Sequence, residues 1–361
     1  MKNNISPVLI PVLASLLLPT GAFADSISVN SVANSNSTNI LVNNTLVNNT
    51  VNKSAIAQWP QQQGIFTIYS EKALQLLNTK AKLKTLASGF EWVEGPVWVK
   101  DGDYLLFSDI PTNKVYRYDD KNGLQTYLSN SGFSNGLKIN QDNELLLIQS
   151  RSRKVAKMNT SLMKPSADYT VLASHYQGKK LNSPNDSTLH ANGSVFFTDP
   201  PYGLPKQLDD PAKELDFQGV YRLSTAGDLT LIDKTLTFPN GIALSPDNKW
   251  LYVAVSDEEN PAWYRYKLDT QGDVLSKELF YKPSKIEEGG EAEIGAPDGL
   301  KVHSSGWIFA TGPGGVWVFD ADKTLLAKIN MPGFTANIAF DKAEKTIYLT
   351  AHKELRSLTL K

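Results

Sequence analysis

Asn240-Gly241 leads the run IALS (242–245), which is followed by WLYVAVSD (250–257) and WYRYKLD (263–269). A polar residue and a turn-forming glycine thus open three short segments rich in Val, Ile, Leu and aromatic residues, each bounded by turn residues. That texture predicts β-strands. The same phrase occurs on both sides of it. Glu94-Gly95-Pro96 leads VWV, YLLFSD and KVYRYD, and Asn135-Gly136 leads LKI, ELLLIQS and KVAKM. Asn185-Asp186 leads STLH, SVFFTD and GVYRLS. Asp298-Gly299 leads LKVH, WIFATG and GVWVFD, and Asn337 leads IAF, TIYLTA and ELRSLTL. Steps between the leads run from 39 residues (298 to 337) to 58 (240 to 298), a range suited to propeller blades with loop insertions.

Between the units lie candidates for a fourth, outer strand: 124–129, 169–174, 229–233, 277–281 and 324–330. The last unit has no chain left to supply one. KLKTLA (82–87) is suited to that place, and its insertion would close the ring and leave no open edge between first and last blades. The expected fold class is therefore all-β, a six-bladed β-propeller whose N-terminal strand closes the last blade. A sandwich or solenoid also repeats strands and turns, but neither requires a polar residue at the same phase of every unit.

The rest of the chain divides in two. Lys2, the apolar run from Pro7 to Leu18 and Ala22-Phe23-Ala24 read as a secretory signal peptide over residues 1–24, too short and too proline-broken for a membrane span. Residues 25–54, rich in Asn, Ser and Thr with LVNNT repeated directly, read as a linker. The propeller is expected over 55–361, in an exported, periplasmic or secreted protein. A net charge of −1 with 20% charged residues gives no footprint for nucleic acid. The absence of cysteine excludes disulfides and thiolate chemistry, and with 4 His a metal would be held mainly by oxygen.

In a propeller the innermost strand of each blade lines a central channel, so the six leads should converge at one mouth of it. Glu94, Asn135, Asn185, Asn240, Asp298 and Asn337 then form a ring of oxygen acceptors. Carboxylates facing one another repel, and a hard divalent cation such as Ca²⁺ removes that conflict. Any one Asn-Gly is ordinarily a turn; the shared phase is what singles these residues out. Pro184, Pro239 and Pro297 stand immediately before three of the leads and fix the backbone's approach.

Longer phrases carry a resemblance. FEWVEGPVW (90–98), LLFSDIPTNKVYRY (105–118), GFSNGL (132–137), LNSPNDSTLHANGSVFFTDPPYGL (181–204), FQGVYRL (217–223), FPNGIALSPDNKWLYV (238–253) and APDGLKVHSSGWIFATGPGGVWVF (296–319) resemble the gluconolactonase/regucalcin (senescence marker protein) family, its bacterial gluconolactonase branch most of all. The resemblance implies one catalytic divalent metal, Ca²⁺ first, with Zn²⁺, Mg²⁺ or Mn²⁺ as alternatives. It places the ligands on Glu94, Asn240 and Asp298, and gives Asn185 a role toward both metal and substrate, with Asp186 beside it. Asn135 and His352 are further substrate-binding candidates. The implied reaction is hydrolysis of a sugar lactone of the D-glucono-1,5-lactone type to the aldonic acid, with Asp298 as general base. Related propellers with a Ca²⁺ site that cleave esters or phosphotriesters, and a non-enzymatic calcium-binding propeller, are the alternatives. Gly-x-Ser-x-Gly is absent and no Ser is paired with an activating His. One departure stands out: the bacterial branch leads one to expect a His in the phrase LLIQSRSRKV, where this chain has Ser150.

Overall fold

The computed structural model describes residues 58–283 and 293–361, all within one compact unit, Ala57–Lys361. The expected signal peptide and linker lie outside the described residues. Six antiparallel sheets follow one another around a ring. In blade 4 the order from axis to rim is Pro239–Leu244, Trp250–Val255, Ala262–Leu268 and Val274–Tyr281. The innermost strands of the other blades are Val93–Val99, Ser134–Ile139, Ser187–Leu189, Leu300–Val302 and Asn337–Phe340.

Burial follows from this order. A second strand is covered on both faces by the neighbouring blades, and Tyr104–Asp109 and Leu145–Gln149 are buried throughout. Such strands read as continuous apolar runs rather than alternating ones. Most outermost strands, such as Gly123–Ser129 and Val274–Tyr281, are largely exposed or half-buried, whereas Leu325–Asn330 of blade 5 is largely buried. The apolar core is accordingly divided into clusters between blades. Leu106 of blade 1 packs with Leu137 and Leu147 of blade 2, and Phe280 of blade 4 with Phe319 of blade 5. Tyr348 of blade 6 packs with Phe107 of blade 1. Each fully buried side chain of this size contributes roughly 1.5–3 kcal/mol.

The ring is closed as the sequence predicts. Lys84–Ser88 pairs antiparallel with Glu354–Thr359 as the outer strand of blade 6, with Leu355 opposite Ala87. Strand pairing joins residues from the two ends of the propeller, so neither end frays freely. A second attachment has no counterpart in the sequence reading. Gln61–Gln63 and Phe66–Ile68 form a hairpin on the outer strand of blade 5, Leu325–Asn330, making that sheet six-stranded. Phe66 and Ile68 are fully buried there. A 3-10 turn, Glu71–Gln75, capped by Ser70, then carries the chain toward blade 6. No helix among the described residues is long and apolar enough to cross a membrane.

Candidate active site

At the start of the inner strands of blades 1, 2 and 4 the ladder slips. Glu94 pairs with Ser108 but Val97 with Leu106, and Pro239 pairs with Val255 but Ile242 with Val253. The extra residue is a β-bulge, a device that re-aims a side chain. It falls at the leads of these three blades, and around the ring the residue after a lead meets the next blade backbone to backbone. Gly136 N donates to the Asn185 carbonyl at 2.8 Å, and Gly299 N to the Ala336 carbonyl at 2.6 Å. A Cβ on Gly95 would lie 1.9 Å from the Asn135 carbonyl oxygen, and one on Gly241 2.1 Å from that of Asp298. The glycine after a lead is therefore a packing requirement between blades.

These contacts correct the phase of blade 6. Ala336 N donates to Thr350 O at 2.8 Å, as Asp298 N does to Thr311 O at 3.2 Å. Thr350 Oγ1 donates to Asn337 O at 3.2 Å, as Thr311 Oγ1 does to Gly299 O at 2.9 Å. Ala336 is thus the lead of blade 6, and Asn337 stands where blades 1, 2, 4 and 5 have glycine. In blade 3 that place is held by Asp186. Blades 3 and 6 are opposite one another in the ring, and their two side chains meet over the axis: Asn337 Nδ2 lies 3.3 Å from Asp186 Oδ2. The glycines clear the space, since a Cβ on Gly299 would lie 2.0 Å from Asn337 Cγ.

Asn337 is the hub of a buried network. Its Nδ2 also donates to Glu94 Oε2 at 3.1 Å, and its Oδ1 accepts from Lys301 Nζ at 2.9 Å and Ile338 N at 2.9 Å. Lys301 Nζ is 3.6 Å from Asp186 Oδ2. Gly95 N donates to Glu94 Oε2 at 2.7 Å, and Ser187 N to Asp186 Oδ1 at 2.8 Å. Lys301 stands three residues after its lead in blade 5, and Lys138 three after its lead in the opposite blade 2. Burial, and then the Lys301 charge, push Lys138 down to about 7.

The carboxyls move the other way. Burial raises Glu94 to about 7, against the pull of the Gly95 N–H, and the charge of Asp186 raises it further. Asp298 is raised well above the usual carboxylate range by burial first, then by Glu94 and Asp186, and by a hydrogen bond with Glu94 that holds a proton. Both carboxyls therefore hold their protons more tightly than free side chains do, and a bound cation would relieve that cost.

Two oxygens of the ring have no hydrogen donor among the described residues to satisfy them. Asp298 Oδ1 and Asn135 Oδ1 are buried without a hydrogen-bond partner among the described residues. Asn240 Nδ2 donates to Ser256 Oγ at 2.9 Å, and Ser256 Oγ donates in turn to the Pro297 carbonyl, so the amide nitrogen of Asn240 is tethered and its orientation fixed. An all-oxygen set of carboxylates and carboxamides fits a hard divalent ion. Among the described residues no three Asp, Glu or His side chains are grouped as a metal cluster, so any ion here would depend on the carboxamides too.

The remaining sequence candidates divide. Asn185 is buried beside the ring, its carbonyl held by Gly136. Both oxygens of Asp186 are engaged inside the network. His352 is on an exposed turn, its ring 4.9 Å from Trp92. Ser150 is buried at the turn after the second strand of blade 2, the place that Ser256 holds in blade 4. Sequence reasoning missed Lys138, Lys301, Ser256 and Tyr202. The first two recur at one offset from their leads. Tyr202 lies in the phrase PPYGL; its ring stacks on Phe238 at 5.5 Å, and burial raises its hydroxyl, which lies against Ser256 and feels the charge of Asp298.

Residues 92–353 match the family model described as SMP-30/Gluconolactonase/LRE-like region. The chain belongs to this family. The SMP-30/gluconolactonase region so matched takes in every lead and the whole Asn337 network. A gluconolactonase of Zymomonas mobilis is 35% identical over 82% of this chain and 86% of its own length. A pentonolactonase of Haloferax volcanii is 29% identical over 66% of this chain and 73% of its own. Among solved structures, a gluconolactonase of Xanthomonas campestris superposes with a TM-score of 0.69 at 29% identity, covering 81% of this chain and 94% of that one.

Proposed function

We propose that this family member hydrolyses a sugar lactone, of the D-glucono-1,5-lactone type, to the open aldonic acid, assisted by one divalent cation held at the channel mouth. The observation that carries the cation is that Glu94 and Asp298, two leads of the ring, are both buried, that burial raises both carboxyls, and that Asp298 Oδ1 has no hydrogen-bond partner among the described residues. The lactone is carried by the relatives' activities. Glu94, Asn240 and Asp298 would hold the ion, with Asn185 and Asn135 completing the donor set. When bound, such an ion supplies Lewis-acid polarisation of the lactone carbonyl oxygen. Ca²⁺ is the ion that suits the oxygen donors best.

The chain's own groups do the rest. Asp298 accepts a proton from the attacking water as its oxygen bonds to the carbonyl carbon, and the ring C–O ester bond breaks with the proton going to the released hydroxyl. Asn337 and Gly95 fix the Glu94 carboxyl, so the pair keeps one geometry. Ser256 orients Asn240. The leader expected at residues 1–24 would deliver this activity outside the cytoplasm.

The test is direct. Asp298→Asn and Glu94→Gln are expected to lower kcat/KM by a factor on the order of 100 or more while circular dichroism is unchanged. Exhaustive dialysis against a chelator should remove activity, and Ca²⁺, Mn²⁺, Zn²⁺ or Mg²⁺ added singly should show which ion restores it. Undiminished activity in the chelator overturns the cation.

A further inference from the structure

Two residues before each lead stands a second ring, and the catalytic reading makes no use of it. Around the blades it runs Trp92, Phe133, Ser183, Phe238, Ala296 and Phe334, the last following from Ala336 as the lead of blade 6. Four of the six are aromatic. All four are only partly buried, unlike the core aromatics Phe107, Phe197 and Phe309, which are fully buried. Trp92 and Phe334 of adjacent blades touch at 5.3 Å.

Phe133 and Phe238 are held in the same unusual way. Their φ angles are +56° and +48°, a left-handed conformation that is a real outlier for a bulky side chain. A carboxamide from the preceding blade accepts each N–H: Asn113 Oδ1 for Phe133 at 2.7 Å, and Gln218 Oε1 for Phe238 at 2.8 Å. Each carbonyl accepts from the serine after its own second strand, Ser150 N at 3.1 Å and Ser256 N at 3.0 Å. Glycine or asparagine would meet the backbone requirement without strain. Strain sustained by the same device in two blades points to a task for the rings.

Blade 3 fills its gap differently. Ser183 accepts from Gly203 N at 2.7 Å and donates to the Pro200 carbonyl at 2.7 Å. It thereby holds the turn that lays Tyr202, 36% exposed, against Phe238. Arg151 lies over the other strained ring, its guanidinium carbon 5.2 Å from the Phe133 centroid.

We propose that Phe133 and Phe238, the latter backed by Tyr202, are specificity-determining residues that take the apolar C–H face of a cyclic substrate above the donor ring. The inference rests on the lactonase reading and deepens it. Flat aromatic walls around a few fixed polar groups are the usual make-up of a small-molecule site. They favour a ring-closed lactone over the extended acid that hydrolysis releases, so the collar also aids product release.

The experiment is steady-state kinetics on D-glucono-1,5-lactone with wild type and with Phe133→Leu, Phe238→Leu, Phe133→Tyr and Phe238→Tyr, and thermal unfolding of each. Leucine keeps apolar bulk but not the flat face. The Leu variants are expected to raise KM by about three- to tenfold with a smaller change in kcat. The Tyr variants should recover the wild-type KM. Phe238→Gly, which relieves the backbone, should unfold as a cooperative transition and yet show the raised KM. Leu and Gly variants that keep the wild-type KM overturn the collar and leave the lactonase standing. Leu variants that lose kcat and KM together with melting temperature, unrescued by Tyr, assign the rings to packing and also overturn it. A wild type that hydrolyses no lactone with any of the four ions overturns the lactonase reading, and the collar with it.

Discussion

Asn337 Nδ2 lies within hydrogen-bonding distance of both Glu94 Oε2, 3.1 Å away, and Asp186 Oδ2, 3.3 Å away, so one amide nitrogen from blade 6 ties the carboxyl of the adjacent blade 1 to a carboxylate of the opposite blade 3. Its other end faces Lys301. The amide thus separates two acidic groups and a cation that would otherwise be placed by charge alone. Buried networks of this kind fix a geometry when every member is satisfied.

Replacing Asn337 by leucine should therefore leave Glu94 and Asp186 short of a donor and Lys301 short of an acceptor. A loss of about 1–3 kcal/mol for each stranded group is the expected scale. Urea unfolding measures it. Asn337→Asp should be worse in cation-free buffer, because a third acceptor then faces the two carboxyls. Its melting temperature should respond to added Ca²⁺ more strongly than that of wild type. Equal responses would show that Asn337 does not hold the acids apart.

The fold was legible because a propeller repeats, and repetition turns weak signals into a phase. Strand runs, blade count and the closing strand all follow from it. In blade 6 the sequence points one residue too far for a physical reason: the lead there is Ala336, an uninformative residue, and the polar Asn337 occupies the adjacent glycine position. Only the shared hydrogen bonds of Thr311 and Thr350 reveal the shift. Lys138 and Lys301 sit inside apolar-looking strands and acquire meaning only when blades 2 and 5 face each other. The hairpin at 61–68 is six ordinary residues around a turn, and its partner strand is more than 250 residues away.

That hairpin makes its own expectation. Phe66 and Ile68 are fully buried against blade 5, so deleting residues 1–69 should cost roughly 3–6 kcal/mol by lost burial. The closing strand Lys84–Ser88 remains, so the ring should still form and lactonase activity should persist at 25 °C. Urea midpoints and activity of the shortened chain check both halves. Loss of activity with an unchanged midpoint would contradict the separation of rim from mouth.

Lys301 lowers the proton affinity of Glu94 and of Asp298, and its charge also holds Lys138 down. Lys301→Met should then raise all three. In a pH–activity profile the acid limb should move to higher pH, because Asp298, the base proposed above, stays protonated further up the scale. Lys138, followed by NMR of labelled lysine, should titrate above its wild-type value. An acid limb that stays in place would separate Lys301 from the proposed pair, Glu94 and Asp298.

The same shifts govern stability without a cation. Glu94 is raised from 4.5 to about 7, and Asp298 is raised as well, so the folded state binds protons more tightly than the unfolded chain. Stability from this source is complete below about pH 4.5 and is lost as pH rises through 7. For Glu94 alone the loss is on the order of 3 kcal/mol at most. Chelator-treated protein should therefore unfold more easily at pH 8 than at pH 5.5. Glu94→Gln should flatten that slope, since the amide carries no charge to bury. Saturating Ca²⁺ should flatten it too, by replacing the proton. Denaturant midpoints at the two pH values, with and without the ion, give the answer. A wild-type slope untouched by both the substitution and the ion would remove the pair as its origin.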